Sequence, residues 1–234
     1  LTAPGDDPGA TTLGQNVAVL HWLRLSPRLS YGESLRIHAQ IDLLRGLVAA
    51  DRLASYTGAA AMPLGEFDGY SHVDPRWLYL EWQSPWGTLR AGQMGSQWGT
   101  GMFVNDGNQE SLFGDHLYGD IVERIAFATR PRERSPWLVV VAGDLVYRDR
   151  AARLTEGDVA LQGVLAVAYD RGGNQAGLYA AYRSQRNADG GDLGAAVLDA
   201  FFRTEPPSRA AGGQVFFAAE VATVLGTTSL TRTT

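Results

Sequence analysis

The sequence predicts an all-β chain, folded as an antiparallel up-and-down barrel of the kind whose strands cross a lipid bilayer. Three observations carry this expectation. Apolar and polar residues alternate with period two, the alternating segments are long, and the connections between them are short and long by turns. Period two gives a strand one apolar and one polar face. About ten such segments of nine or more residues follow one another, whereas strands of water-soluble proteins usually have about 5–6. Tilted strands of about 9–11 residues are what a bilayer requires.

The first segment covers roughly residues 16–30 and contains NVAVLHWLRLS. The clearest is LRIHAQIDLL, in which Leu35, Ile37, Ala39, Ile41 and Leu43 alternate with Arg36, His38, Gln40 and Asp42. Its continuation, RGLVAADRLAS, reads equally as helix. WLYLEWQ sets Leu78, Leu80 and Trp82 opposite Tyr79, Glu81 and Gln83. TLRAGQMG, DIVERIAFATR, WLVVVAGDLVYR, VALQGVLAVAYD, AGLYAAYRSQR, LGAAVLDAFFR and GQVFFAAEVATVLG complete the set. Charges stand in mid-strand at Arg36, Asp42, Glu81, Arg90, Asp144, Arg183, Asp199, Arg203 and Glu220. Glu123, beside Ile121 and Ile125, fits neither face.

Short connections at 27–33, 84–87, 131–136 and 170–175 alternate with longer ones at 49–74, 99–118, 149–158 and 187–192. A bilayer barrel has short turns at one end and long loops at the other. The 204–212 connection, of moderate length, matches least well. With this alternation the first and tenth strands both have their free ends on the long-loop side. The expectation is therefore a single barrel domain over residues 1–234 that is part of a barrel of at least about 12 strands.

Composition narrows the chemistry. The 234 residues are 45% hydrophobic, with 28 Gly, a formal charge of -5 and no cysteine. That excludes a disordered chain, a disulfide framework and the electrostatic footprint of a nucleic-acid binder. All 20 basic residues are arginine. No run of about 18 apolar residues offers a membrane-spanning helix, which leaves strands as the means of crossing.

The stretch 77–108, WLYLEWQSPWGTLRAGQMGSQWGTGMFVNDGN, resembles outer-membrane porin-like barrels of Gram-negative bacteria, as does LRLSPRLSYGESLRIHAQIDLLRG (23–46) before it. The likeness is closest to an uncharacterised myxobacterial-type barrel family. It rests on a strand, a tight turn, a strand bearing Arg90-Ala91-Gly92-Gln93, then Trp98-Gly99 and an Asn-Asp-Gly-Asn turn. The resemblance implies an outer-membrane channel for passive diffusion of small hydrophilic solutes, with the lipid bilayer as partner, no nucleic acid, no cofactor and no catalysis. A plugged structural or adhesive barrel and a soluble β-sandwich or ligand-binding barrel are the alternatives.

In the barrel arrangement Leu35, Ile37, Ile41 and Leu43 meet lipid. Arg36, His38, Gln40, Asp42, Glu81, Arg90, Gln93, Arg183, Asp199, Arg203 and Glu220 line the pore, with Arg90 and Gln93 at a constriction. Trp22, Trp77, Trp82, Trp86, Trp98, Trp137, Tyr118, Tyr147 and Tyr169 lie mostly near strand ends, as in the aromatic girdles at a membrane's two interfaces. The glycines of 92–101 are not a phosphate loop, which requires Gly-x-x-x-x-Gly-Lys-Ser/Thr. They leave room for an inward-folded loop or a large side chain. His21, His38, His72 and His116 have no metal-ligand spacing. No Ser-His pair marks a hydrolase, and Asp106 with Glu110 reads as a solvated turn before a calcium loop.

Overall fold

The computed structural model describes residues 18–50, 73–108, 119–149, 151–205 and 216–230, with the side chains of 18–22 and 44–50 left aside. The expected strand in LRIHAQIDLL extends unbroken through the ambiguous continuation, which is strand as far as Ala50. Strands are β1 (Ala18–Leu25), β2 (Arg28–Tyr31), β3 (Leu35–Ala50), β4 (Val73–Ser84), β5 (Gly87–Gly95), β6 (Ile121–Thr129), β7 (Trp137–Arg148), β8 (Val159–Arg171), β9 (Asn174–Arg186), β10 (Asp192–Thr204) and β11 (Phe217–Thr228). Eleven appear where the sequence shows about ten because Pro27, lacking an N–H, divides the first. Its carbonyl still accepts from Ala39 N at 3.0 Å.

The strand pairings among the described residues are antiparallel, in the order β1-β3-β4-β5-β6-β7-β8-β9-β10-β11 with β2 on β3. This is the up-and-down, all-β architecture that the alternation predicts. Among the described residues the sheet is open: β1 and β11 end the pairing path. Short turns at 32–34, 85–86 and 172–173 lie at one end, and the connections after β5, β7 and β9 at the other. The only helical turn among the described residues is Leu154–Glu156.

The chain divides into two compact units, one of residues 1–25 with 41–74, the other of 26–40 with 75–234. In the first, Arg24 holds Asp42 through a two-pronged contact, Nε to Oδ1 at 2.5 Å and Nη2 to Oδ2 at 2.8 Å. Leu23 pairs with Leu43 and Leu25 with Ile41.

In the second unit the two faces of the sheet differ sharply in chemistry. β8 shows the rule: Val159, Leu161 and Leu165 are exposed, while Ala160, Val164 and Ala166 are buried. Ile125 and Leu178 are each 66% exposed on the same side as Ile37, Leu80, Val141 and Leu198. The opposite side carries Gln40, Arg76, Glu81, Asp144, Gln185 and Asp199, all buried. Apolar side chains thus face out, and ionic groups face in.

Aromatic rings gather on the outer face at the short-turn end. Trp82, Trp86, Phe127, Trp137, Phe202 and Phe217 are all exposed there. Trp137 meets Tyr169 edge-on at 5.1 Å, and Phe202 lies 6.4 Å from Phe217. Trp98 does not join them: it is buried on the inner side, contrary to the interfacial place the sequence suggests. Tyr118, His72 and His116 lie outside the described residues, as does the side chain of Trp22.

Candidate functional site: the inner face and its strap

Residues 96–108 leave the end of β5 and cross the inner face as a strap. Trp98 lies three residues beyond Gly95, so the chain carries it at most about 10 Å from the strand. Its indole Nε1 nevertheless donates to Asp199 on β10 at 3.2 Å. Five strand spacings separate β5 from β10, which in a flat sheet amounts to about 24 Å. An indole does not make up that difference, so this part of the sheet must be curled with the polar face inward.

The seat of Trp98 is made of small residues. Ala126, Ala142, Val164, Ala166, Ala181 and Val197 form its floor, and Val104 from the strap's return packs with it. The ring lies 5.4 Å from Tyr179 and meets Phe201 edge-on at 5.1 Å. Gly177 makes the fit possible, because a Cβ there would stand 2.6 Å from the indole and 2.7 Å from Phe201. Two residues on, Thr100 donates through both N and Oγ1 to Glu220 Oε2, each at 2.5 Å. Asp199 and Glu220 occupy diagonal positions on β10 and β11 and anchor the strap's far end.

The near end is held as firmly. Arg76, fully buried, donates through Nε to Gln40 Oε1 at 3.0 Å and through Nη2 to the Asp106 carbonyl. Arg124 spans two partners: it forks onto Asp144 at 2.6 and 2.7 Å and reaches Ser96 Oγ at 2.9 Å. Gln162 adds a donor to Asp144 at 3.3 Å. Such bidentate pairs satisfy the charges that burial would otherwise leave costly. Asp106 Oδ1 accepts from Asn108 N at 2.9 Å, the local turn that the NDGN motif suggests. Glu110 lies outside the described residues.

A second inward cluster lies on β2–β5. Glu81 accepts from Arg36 Nη1 at 3.0 Å and Arg90 Nε at 2.9 Å. His38 stacks on Tyr79 with ring centres 4.7 Å apart, and Arg90 sits over the same Tyr79 ring at 5.9 Å. The structure thus unites Arg36, His38, Glu81 and Arg90. Asp199 and Glu220 meet at the strap, and Gln40 meets Arg76. Arg183 pairs with Asp149 and Gln185 toward the loop end, while Arg203 is exposed beside Glu205 and Phe216 at the short-turn end. Asp42 is bound to Arg24 in the first unit.

Gln93 departs from the expectation of a constriction shared with Arg90. The two differ by an odd number of residues and lie on opposite faces; Gln93 pairs with Leu78 and Glu123 on the outer side. Its Nε2 donates to the Pro75 and Arg76 carbonyls, each at 3.0 Å. Those carbonyls sit where burial in β4 changes phase, since Arg76 and Glu81 both face inward despite their odd spacing. One extra residue of that kind is a bulge, and Gln93 satisfies it. Nothing in the local pattern marks Arg76, Ser96, Thr100 or Arg124 as partners of the inner face. The adjacent Glu123-Arg124 charges were the one available clue, because neighbours in a strand cannot share a face. No protein-family model, curated protein or solved structure matches the chain.

Proposed function

We propose that the chain forms the wall of a Gram-negative outer-membrane β-barrel that passes small hydrophilic solutes by diffusion. The inverted burial of the second unit carries this reading. Ile37, Leu80, Ile125, Val141, Leu165, Leu178 and Leu198 are presented outward, while Glu81, Asp144 and Asp199 are buried behind them. A soluble sandwich buries its aliphatic face and solvates its ionic one. A barrel in lipid does the reverse and surrounds its ends with aromatic rings, as the short-turn end does here.

The direct test is expression of the full-length protein in a Gram-negative host, followed by fractionation and solute-uptake measurements on liposomes. Recovery in the outer membrane with swelling in small sugars supports the channel. A native protein that is water-soluble without detergent removes the membrane reading. Folding in detergent without uptake removes the channel and leaves a barrel.

The strap favours one variant of this reading, a barrel narrowed or plugged from within. Trp98 and Thr100 are fixed to β9–β11 by packing and by hydrogen bonds to Asp199 and Glu220. A wild-type protein that passes no solute, paired with a Trp98→Ala variant that does, identifies the plug.

A further inference from the structure

Around Glu81 the inner face carries more arginine than that one carboxylate pairs. Arg28 pairs across the strands with His38, which places it on the face of Arg36, Glu81 and Arg90. Arg36 and Arg90 therefore bind Glu81, and Arg28 stands beside His38 on the same face. Arg36 and Arg90 share that carboxylate, and their side chains remain 33% and 51% exposed. Among the described residues Arg28 has no carboxylate partner, and its side chain is exposed. His38 Nε2 stands 4.0 Å from Glu81 Oε2, beyond hydrogen-bond reach, with no other partner.

Aromatic contacts and a buried carboxylate organise these charges on the face. The His38–Tyr79 stack forms an aromatic floor, and Arg90 lies over the Tyr79 ring. Glu81 is buried and fixes Arg36 and Arg90 without using their full complement of N–H groups, since each guanidinium carries five donors. Unused, preoriented guanidinium donors match the oxygens of carboxylates and phosphates.

We propose that Arg28, Arg36 and Arg90, on the His38–Tyr79 floor, form a binding site for oxyanion-bearing solutes, so that the barrel favours anions. The proposal rests on the channel reading for its transport consequence, but not for the binding itself. The local excess of arginine over Glu81 runs against the chain's overall charge of -5. Charge of one sign within a confined passage raises the local concentration of its counter-ion.

Two measurements on the full-length protein test it. In planar bilayers with a potassium chloride gradient, the zero-current potential is expected to show chloride preferred over potassium. Arg28→Gln, which breaks no ion pair, should lower that preference about twofold. Arg132→Gln, in the exposed turn between β6 and β7, removes the same charge outside the site and should leave the preference near that of wild type. In detergent, inorganic phosphate should show 31P line broadening that acetate displaces and that Arg28→Gln weakens. Displacement by acetate marks a general oxyanion site, and failure to displace marks one that selects phosphate.

A cation-selective or unselective channel with no 31P broadening overturns the proposal. A protein that conducts no ions yet broadens the 31P signal in an Arg28-dependent way retains the site and overturns the channel. Conduction with an Arg28-independent potential and no broadening does the opposite.

Discussion

Two stretches of the same inner face solve the problem of burying polar backbone and charge differently. On β2–β5 the face stays open and ionic, with Arg36, Arg90 and Glu81 joined around an aromatic floor. Across β6–β10 it is lined by alanine and valine and roofed by Trp98. Small side chains in the second stretch leave the depth that the indole fills, and Gly177 removes the last obstacle. Large polar side chains in the first fill their own space. The strap thus covers the alanine and valine floor together with the buried Arg124–Asp144 pair and Asp199, while Arg36 and Arg90 stay partly exposed.

The strongest challenge to this contrast is Trp98→Ala. Removing a buried indole from a close-packed seat should cost about 3–5 kcal/mol, read from urea unfolding in detergent by circular dichroism. Gly177→Val should cost as much by unseating the ring, and combining it with Trp98→Ala should add little further. An unchanged unfolding midpoint in both would mean that the strap is not seated and the two stretches are alike.

The next effect addresses the outer wall behind each stretch. Leu80 backs the open part and Leu165 the covered part, and both are exposed. Leu80→Arg and Leu165→Arg should each cost about 2–4 kcal/mol in a bilayer if placed near its midplane. Equal losses in vesicles, and near-zero losses for neither, would confine the difference to the inner face. A smaller effect is expected from Thr100→Val, which removes one of two donors to Glu220 and should cost about 1 kcal/mol. Arg28→Gln should leave the unfolding midpoint unchanged, since Arg28 holds no carboxylate. A large loss there would reveal a structural bond and weaken the view of the open stretch as unspent charge.

Much of the sheet is legible in the residues. Alternation in LRIHAQIDLL marks β3 and sets Ile37 apart from Gln40 and Asp42, as burial confirms. Tight turns such as Ser84-Pro85-Trp86-Gly87 fix the β4–β5 register, Ser84 opposite Gly87. Residues whose partners lie on neighbouring strands follow from the same parity, as Arg90 follows from Glu81. Gln93 did not, because its role depends on a bulge in β4 that local alternation hides. Nor did the seat of Trp98, whose hydrogen-bond partner Asp199 is 101 residues away. That contact exists only once the sheet curls, and curl is a sum of many strand twists with no single sequence mark. Gly177 likewise looks like any strand glycine until the ring above it is known.

The strap also bears on the order in which the chain assembles. From β3 to β11 each strand follows its sequence neighbour in the sheet, so most of it closes local loops at little entropic cost. The bonds from Trp98 to Asp199 and from Thr100 to Glu220 span 101 and 120 residues and need β9, β10 and β11 already in place. Long-range contacts of this kind form late and slow the final stage. Seating of the indole thus depends on strands β9, β10 and β11 standing in the register the structure shows.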